Sequence, residues 1–549
     1  MGSAYDQQAV DNICTRLRAL VQDSFQKHLY PTAIFFADKL VSLSGDAEDL
    51  YTLAECYFQN REYRRVLHLL KKHSNSMRSD ERLKLLAAQS LMECRDWEEA
   101  LKCLEESSTD TGASEPKLLA VFALLRGKVY EVLENQENAL LSYERALSLN
   151  PYCHEALDRL IGNHLLTLER EVALLKSLQL HEEDEWIRHL YAAKLAASRS
   201  SAENPLEPRA APDSPDTDFP KGKQRRIGQA GDVESLLKSY PAPLLPPALA
   251  QNGHALAAQS TRYFYEGDFQ SCYLVSKKVL EDDPYHLATL PVHIASSVML
   301  ENKNLVFYVA HQLVNAYPTM AVSWFTAGCY YYMIKKYDPA RRFFHKAIGL
   351  DHNFAPAWIA YGHAFAQHDE SDQALAAYRT ASRLFPGSQL PWLFIGMEYV
   401  RTNSLLLAQQ CLECARILMP TDPHVYNEIG VVAFHKKSYQ KAAELLSKAL
   451  SLARTPDETM CSNLGHALLK FGALEEALQA FEQAHRLNPT SSSVMSGIAF
   501  TKQLQNKPDE AIEFYHRALS IDRGNAFASE MLSYAVQEAG ESDFGMGAL

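Results

Sequence analysis

Between residues 253 and 526 the sequence returns to the same residue types every 34 positions. That period constrains the fold more tightly than any other feature of the chain. Pro284, Pro318, Pro386 and Pro420 fall on one grid, with His352 in the intervening slot. Gly328, Gly362, Gly396 and Gly430 recur on the same grid, each four residues after an aromatic residue: Trp324, Trp358, Trp392 or Tyr426. Alanines mark two further slots, Ala340, Ala374, Ala408 and Ala442 in one and Ala347, Ala381, Ala415 and Ala449 in the other. The register slips once. Pro456 stands two residues past its slot, Gly465, Ala477 and Ala484 stand one past theirs, and Phe481 and Pro489 complete the unit.

Residues four apart share a helix face, so each aromatic residue and its glycine lie together on a first helix. A glycine there lets a neighbouring helix approach where no side chain intervenes. The alanines do the same for a second helix, and proline ends it. One helix pair per period of this length is the tetratricopeptide pattern. The expected fold is all-α, a right-handed superhelix of stacked helix pairs, with Gly328, Gly362, Gly396, Gly430 and Gly465 consumed by packing. A stack of this kind grows by adding units, so 549 residues need no single large core.

The rest of the chain divides around that array. Ile13, Leu17, Leu20 and Val21, then Ala33, Phe36, Ala37 and Leu40, recur at helical spacing and read as a degenerate first pair. Clearer copies follow at Leu53, Ala54, Tyr57 and Val66, and at Ala88, Leu91, Trp97, Ala100 and Leu104. Residues 107–116 lose periodicity and read as a surface loop. Gly127, Tyr130, Ala139, Tyr143, Ala146 and Pro151 form the best copy of this half. Residues 155–166 and 171–195 stay helical in pattern but lose the small-residue signals, which fits either an atypical pair that changes the superhelix pitch or a segment that packs against a partner.

Residues 197–250 break the pattern, with Pro205, Pro208, Pro212, Pro215 and Pro220 followed by the basic run 221–226. Such sequence buries too little apolar area to offset its ordering entropy, and a flexible insert is expected, with one short helix at 232–240. Ser214-Pro215 is a candidate phosphate acceptor, and the basic run is either a nuclear-import contact or solvated linker. The expected domains are therefore an N-terminal array at 1–196, the insert at 197–250, a C-terminal superhelix at 251–535 and a short tail at 536–549.

Fifty-four Lys plus Arg against 67 Asp plus Glu give a formal charge of −13, which argues against binding nucleic acid by phosphate neutralisation. Ten cysteines spread through helical segments read as reduced, buried thiols of an intracellular protein, and neither a signal peptide nor a membrane span is expected. No catalytic, cofactor or metal site is expected. Cys411 and Cys414 have Cys-x-x-Cys spacing but no second pair, and they sit in a repeat helix. His293, His363, His435 and His466 each belong to a different first helix.

First helices of such repeats line an inner wall, onto which positions two, five, nine and twelve of each unit project. In this register the wall carries Phe325, Tyr332, Ile359, His363, Leu393, Met397, Asn427, Val431, Phe434 and His466. So apolar a lining suits a bound peptide, with Asn427 and the histidines holding its polar groups. The alternative is that these residues simply tighten a narrow superhelix.

Residues outside the repeat slots carry a more specific likeness. Leu290-Pro291-Val292-His293-Ile294, residues 356–363, 430–434 and Asn463-Leu464-Gly465-His466 resemble the cell-division-cycle-sixteen subunit family of the anaphase-promoting complex, or cyclosome. Residues 35–40, 143–147 and 151–153 resemble the N-terminal part of the same family, so the likeness spans about 20–195 and 250–535. It implies a non-catalytic scaffold subunit of a ubiquitin ligase acting in cell division. It further implies a homodimer through the N-terminal repeats, stacking on other repeat subunits, and a C-terminal groove enclosing the N-terminal segment of a small accessory subunit. The expected location is nucleus and cytoplasm. A co-chaperone or other peptide-binding adaptor remains the alternative class, although its groove would need more cationic side chains to clamp a carboxylate.

Overall fold

The computed structural model describes residues 7–73, 80–106, 116–197 and 252–546, and helices make up all of its regular structure. The segments 107–115 and 198–251, with Ser214-Pro215, the basic run and the expected helix at 232–240, lie outside the described residues.

The helices come in pairs, and the reason for the period is visible at the turns. Glu301, Lys335, Asp369, Asn403 and Lys437 all have positive φ, and each follows the last by one full period. Each lies just past a first helix, where a left-handed residue reverses the chain into the second. The next such residue, Gly472, comes one position later than the period requires, and Asn506 then restores the spacing. The slip read from Pro456 is thus one extra residue, carried by the loop between the helices Tyr439–Leu452 and Glu458–Phe471.

Inside each pair the glycine of the first helix meets one large side chain of the second, always from the same slot of the repeat. A Cβ at Gly328 would stand 2.5 Å from the ring of Phe344, at Gly396 2.6 Å from Leu412, at Gly430 2.7 Å from Leu446 and at Gly465 2.8 Å from Phe481. Gly362 lies against Tyr378 in the same way, and Gly127 against Tyr143. Ala340, Ala374, Ala408, Ala442 and Ala477 are fully buried, as are Ala347, Ala381, Ala415, Ala449 and Ala484. The breaker slot also has a hydrogen-bonding task. Trp324 Nε1 donates to the Pro318 carbonyl at 2.7 Å, and Trp358 Nε1 to the His352 carbonyl at 2.9 Å, so a histidine serves in a proline slot.

The chain forms two compact units, and their boundary differs from the one expected near residue 196. One unit runs to Gly162 and takes in Lys176–Leu180; the other takes Asn163–Leu175 and the chain from His181 on. The cause is local. The helix Glu185–Ala197 packs on the helix Gly253–Tyr265, so the atypical segment seeds the second unit. The last helix, Ala526–Met546, likewise runs through most of the expected tail.

The first unit is centred on apolar residues of both helices of its pairs, among them Leu50, Leu53 and Tyr57 on one helix, Val66 on the next, and Leu83. It also buries a charge. Tyr143 Oη donates to Glu131 Oε2 at 2.6 Å, Arg159 Nη1 lies 3.1 Å from Glu131 Oε1, and Glu131 is 4% exposed. In the helix Gln7–Gln26, Cys14 and Val21 are buried while Ile13 and Leu20 are exposed, so only part of the expected stripe faces the core.

Candidate partner-binding surface

In the second unit, successive first helices pack on one another: Ala321–Met333 on Ala355–Ala366, Leu390–Arg401 on Pro423–His435, and Pro423–His435 on Glu458–Phe471. Contacts between successive second helices are weaker. The stack therefore curves with its first helices inside, and side chains projecting from them form the inner wall.

The expected wall residues fall into two groups. Tyr332, Ile359, His363, Val431, Phe434 and His466 are half-buried, and Met397 is 41% exposed. These present surface. Phe325, Leu393 and Asn427 do not, and their assignment to an open groove is corrected. Phe325 packs edge-on against Phe354 at 5.4 Å, and Leu393 belongs to the core with Leu412 and Val425. Both occupy position five, which in their units points at the junction with the next unit and is filled by that unit's packing, whereas Ile359 at the same position keeps part of its surface. Asn427 is 5% exposed, donates Nδ2 to Glu428 Oε1 at 2.9 Å, and accepts from Asn463 Nδ2 at 3.1 Å.

That exchange of bonds shows which residues the sequence reading missed. Asn463 and Glu428 occupy position six, beside the inward slot, and join Asn427 in a polar chain across two units. Burial pushes the Glu428 carboxyl up, against the smaller opposing effect of its bond to Asn427. Phe394, also at position six, sits edge-on over His363 at 4.4 Å. The signal was available: in two consecutive units position six carries a polar residue, Glu428 or Asn463, directly after a polar residue at position five, Asn427 or Ser462.

The histidines are held separately. Nδ1 of His363 lies 2.8 Å from Tyr378 Oη, and burial pushes this imidazole down to about 4. His293 is 4% exposed, 2.8 Å from Ser276 Oγ, and stacked on Tyr273 at 5.1 Å. Burial, with Lys277 nearby, lowers it to about 4. His466 packs edge-on against Phe481 at 5.0 Å, and burial lowers its pKa also. Neutral imidazoles of this kind donate and accept single hydrogen bonds without charge. Each is engaged within its own repeat or its neighbour, rather than in a shared cluster. The expectation that the ten cysteines are buried holds only in part: Cys14, Cys56, Cys272, Cys329 and Cys461 are buried, whereas Cys411 is half-buried and Cys414 exposed. Their helix packs through Ala408, Leu412 and Ala415, which leaves the face at Cys414 to solvent.

Comparison with known proteins agrees with this architecture. Residues 26–107 match the sequence model described as anaphase-promoting complex, cyclosome, subunit 3, and residues 122–153 match the tetratricopeptide repeat. Residues 249–538 match the model of the cilia and flagella-associated protein 70 C-terminal domain. The chain is 38% identical to anaphase-promoting complex subunit 6 of Arabidopsis thaliana, over 95% of this chain and 96% of the relative. It is 34% identical to the cell division cycle protein 16 homolog of Homo sapiens, over 97% and 86%. A chain in the crystal structure of the APC/C hetero-tetramer Cut9-Hcn1 superposes with a TM-score of 0.74 at 32% identity, covering 95% of this chain and 96% of that one. With its helix pairs, its glycine-to-ring contacts and this full-length likeness, the chain belongs to the family of anaphase-promoting complex subunits that includes subunit 6, cell division cycle protein 16 and Cut9.

Proposed function

We propose that this chain is a non-catalytic scaffold subunit of the anaphase-promoting complex, a ubiquitin ligase, working as a homodimer in nucleus and cytoplasm. Its first unit joins the two copies, and its flanks stack on other repeat subunits. Its inner wall, through Tyr332, Ile359, His363, Met397, Val431, Phe434 and His466, holds the N-terminal segment of a small accessory subunit. The observation that carries this reading is the near full-length likeness to a chain crystallised as a Cut9-Hcn1 hetero-tetramer, at 32% identity. Two features support its parts. The first unit leaves Ile13, Leu20, Leu29, Phe35 and Leu43 exposed, and a second copy would cover such side chains. The inner wall offers half-buried apolar side chains beside hydrogen-bonding groups that need no charge, which suits an extended peptide.

Affinity purification of the tagged full chain, with subunit identification and sedimentation of the purified protein, tests the reading. Recovery of ligase subunits together with a small polypeptide, and a dimeric mass at micromolar concentration, are expected. Recovery of chaperones alone, or a persistent monomer, would overturn the corresponding part.

A further inference from the structure

The extra residue that breaks the repeat register has a consequence far along the chain. It lengthens the loop Ala453-Arg454-Thr455-Pro456-Asp457, and that loop touches the turn after the helix Gly253–Tyr265. Arg454 Nη1 lies 2.5 Å from Glu266 Oε2, across 188 residues of sequence. Thr455 Oγ1 donates to the Glu266 carbonyl at 3.0 Å. The receiving turn is shaped for this contact. The Glu266 side chain is 4% exposed and also bonded to Arg262 Nε at 2.9 Å. Gly267 has φ +80°, and a Cβ there would stand 3.0 Å from Thr455 Oγ1. One residue before the turn, Tyr265 is pushed up to about 12 by burial and the charge of Asp422, in the loop one unit earlier.

An open stack of repeats has only nearest-neighbour contacts and opens anywhere along its length. A contact across 188 residues breaks that rule. We propose that the loop 453–457 is a latch. It fastens the turn 266–267 to a unit more than five repeats later, and it restrains the stack between them from opening. The register slip read from Pro456 is the sequence mark of that latch: the regular loop, as at Asp351-His352-Asn353-Phe354, has one residue fewer with which to reach. On the reading of the preceding section, a segment held along the inner wall leaves only as fast as the latch opens.

Two measurements on the full chain test this, and they fail separately. Hydrogen exchange compares the wild type with the Arg454→Ala/Thr455→Ala double variant. The amides of 266–269 and 453–457 are expected to exchange about tenfold faster or more in the variant, while those of 355–418 stay unchanged. Exchange within twofold of the wild type at both segments would overturn the latch, whatever the inner wall binds. Should the double variant fail to fold, the wild type carries the same test through salt. Raising ionic strength from about 0.1 to 1 M screens the half-exposed Arg454, and exchange at 266–269 should rise several-fold at constant helix content. No rise would overturn the proposal. Release of the co-purified small subunit from wild type and variant then reads the second consequence. Faster release supports control by the latch, and equal release beside faster hydrogen exchange removes that control while leaving the latch itself in place.

Discussion

The hydroxyl of Tyr378 lies 2.8 Å from Nδ1 of His363, while its ring fills the space that a side chain at Gly362 would need. One residue of a second helix thus fixes two consecutive residues of the first. The glycine seats the ring, and Nδ1 of the histidine meets its hydroxyl at hydrogen-bond distance on the side of the inner wall. Packing of the pair and orientation of a candidate binding residue are therefore one arrangement.

Gly362→Ala should destabilise the array by about 1–3 kcal/mol through overpacking, because the new methyl must displace a buried ring. Its Tyr378→Leu partner variant relieves the clash but removes the hydrogen bond to His363. The double variant should accordingly recover part of the loss in chemical denaturation, without restoring the wild type. A single variant as stable as the wild type would show that the ring moves freely, contrary to this packing.

Acid should weaken the second unit before most carboxylates titrate. Burial holds His293 at about 4, against 6.5 for a free imidazole. The folded-state value is depressed, so below pH 6.5 the unfolded chain takes up a proton that the folded chain refuses. Stability contributed at neutral pH is lost as pH falls from 6.5 towards 4, reaching up to ~3 kcal/mol for this residue. His293→Gln should reduce the slope of the denaturation midpoint between pH 7 and 5. An unchanged slope would mean that the proton is accommodated in the folded state.

The repeat slots were legible because every unit solves the same packing problem. Gly328, Gly362, Gly396, Gly430 and Gly465 each meet a large side chain at one fixed slot of the second helix, so one register sufficed to find them all. The open face was harder to read. Phe325 and Leu393 share their slot with Asn427 and point to the junction between units, which depends on how steeply the stack curves rather than on the period of one helix. The unit boundary at Gly162 was also invisible. It depends on the helix Glu185–Ala197 packing against a helix that begins at Gly253, a contact between residues far apart in sequence and without any repeat signature. The meaning of the slip at Pro456 was hidden for the same reason, since its partner Glu266 lies 188 residues before Arg454.

In the first unit, Tyr143→Phe should cost about 1.5–3 kcal/mol, the usual range for a hydrogen bond to a charged group. The ring itself would be kept, so the contact with Gly127 survives and the loss isolates the bond from Tyr143 Oη to Glu131 Oε2. Glu131→Leu should cost more, because Arg159 and Tyr143 both lose an acceptor at a site that is 4% exposed. Thermal denaturation that ranks the two variants in the opposite order would show that the buried carboxylate destabilises the unit.

The inner wall gives the sharpest test of partner binding, and the structure decides which residues to change. Asn427 and Leu393 are poor choices, since both are buried and their replacement by charged residues would disturb the array together with any binding. Met397 is 41% exposed and Val431 half-buried, one unit apart at the same position of their first helices, and neither fills a glycine or alanine slot. Met397→Glu with Val431→Glu should leave helix content unchanged and lower the denaturation midpoint only modestly, since Met397 is exposed and Val431 keeps part of its surface in solvent. Co-purification of the small accessory subunit should fall about tenfold or more, because two carboxylates would be desolvated beneath the bound segment without a counter-charge. Undiminished capture by a folded double variant would move the binding surface away from this wall, while leaving membership of the complex untouched.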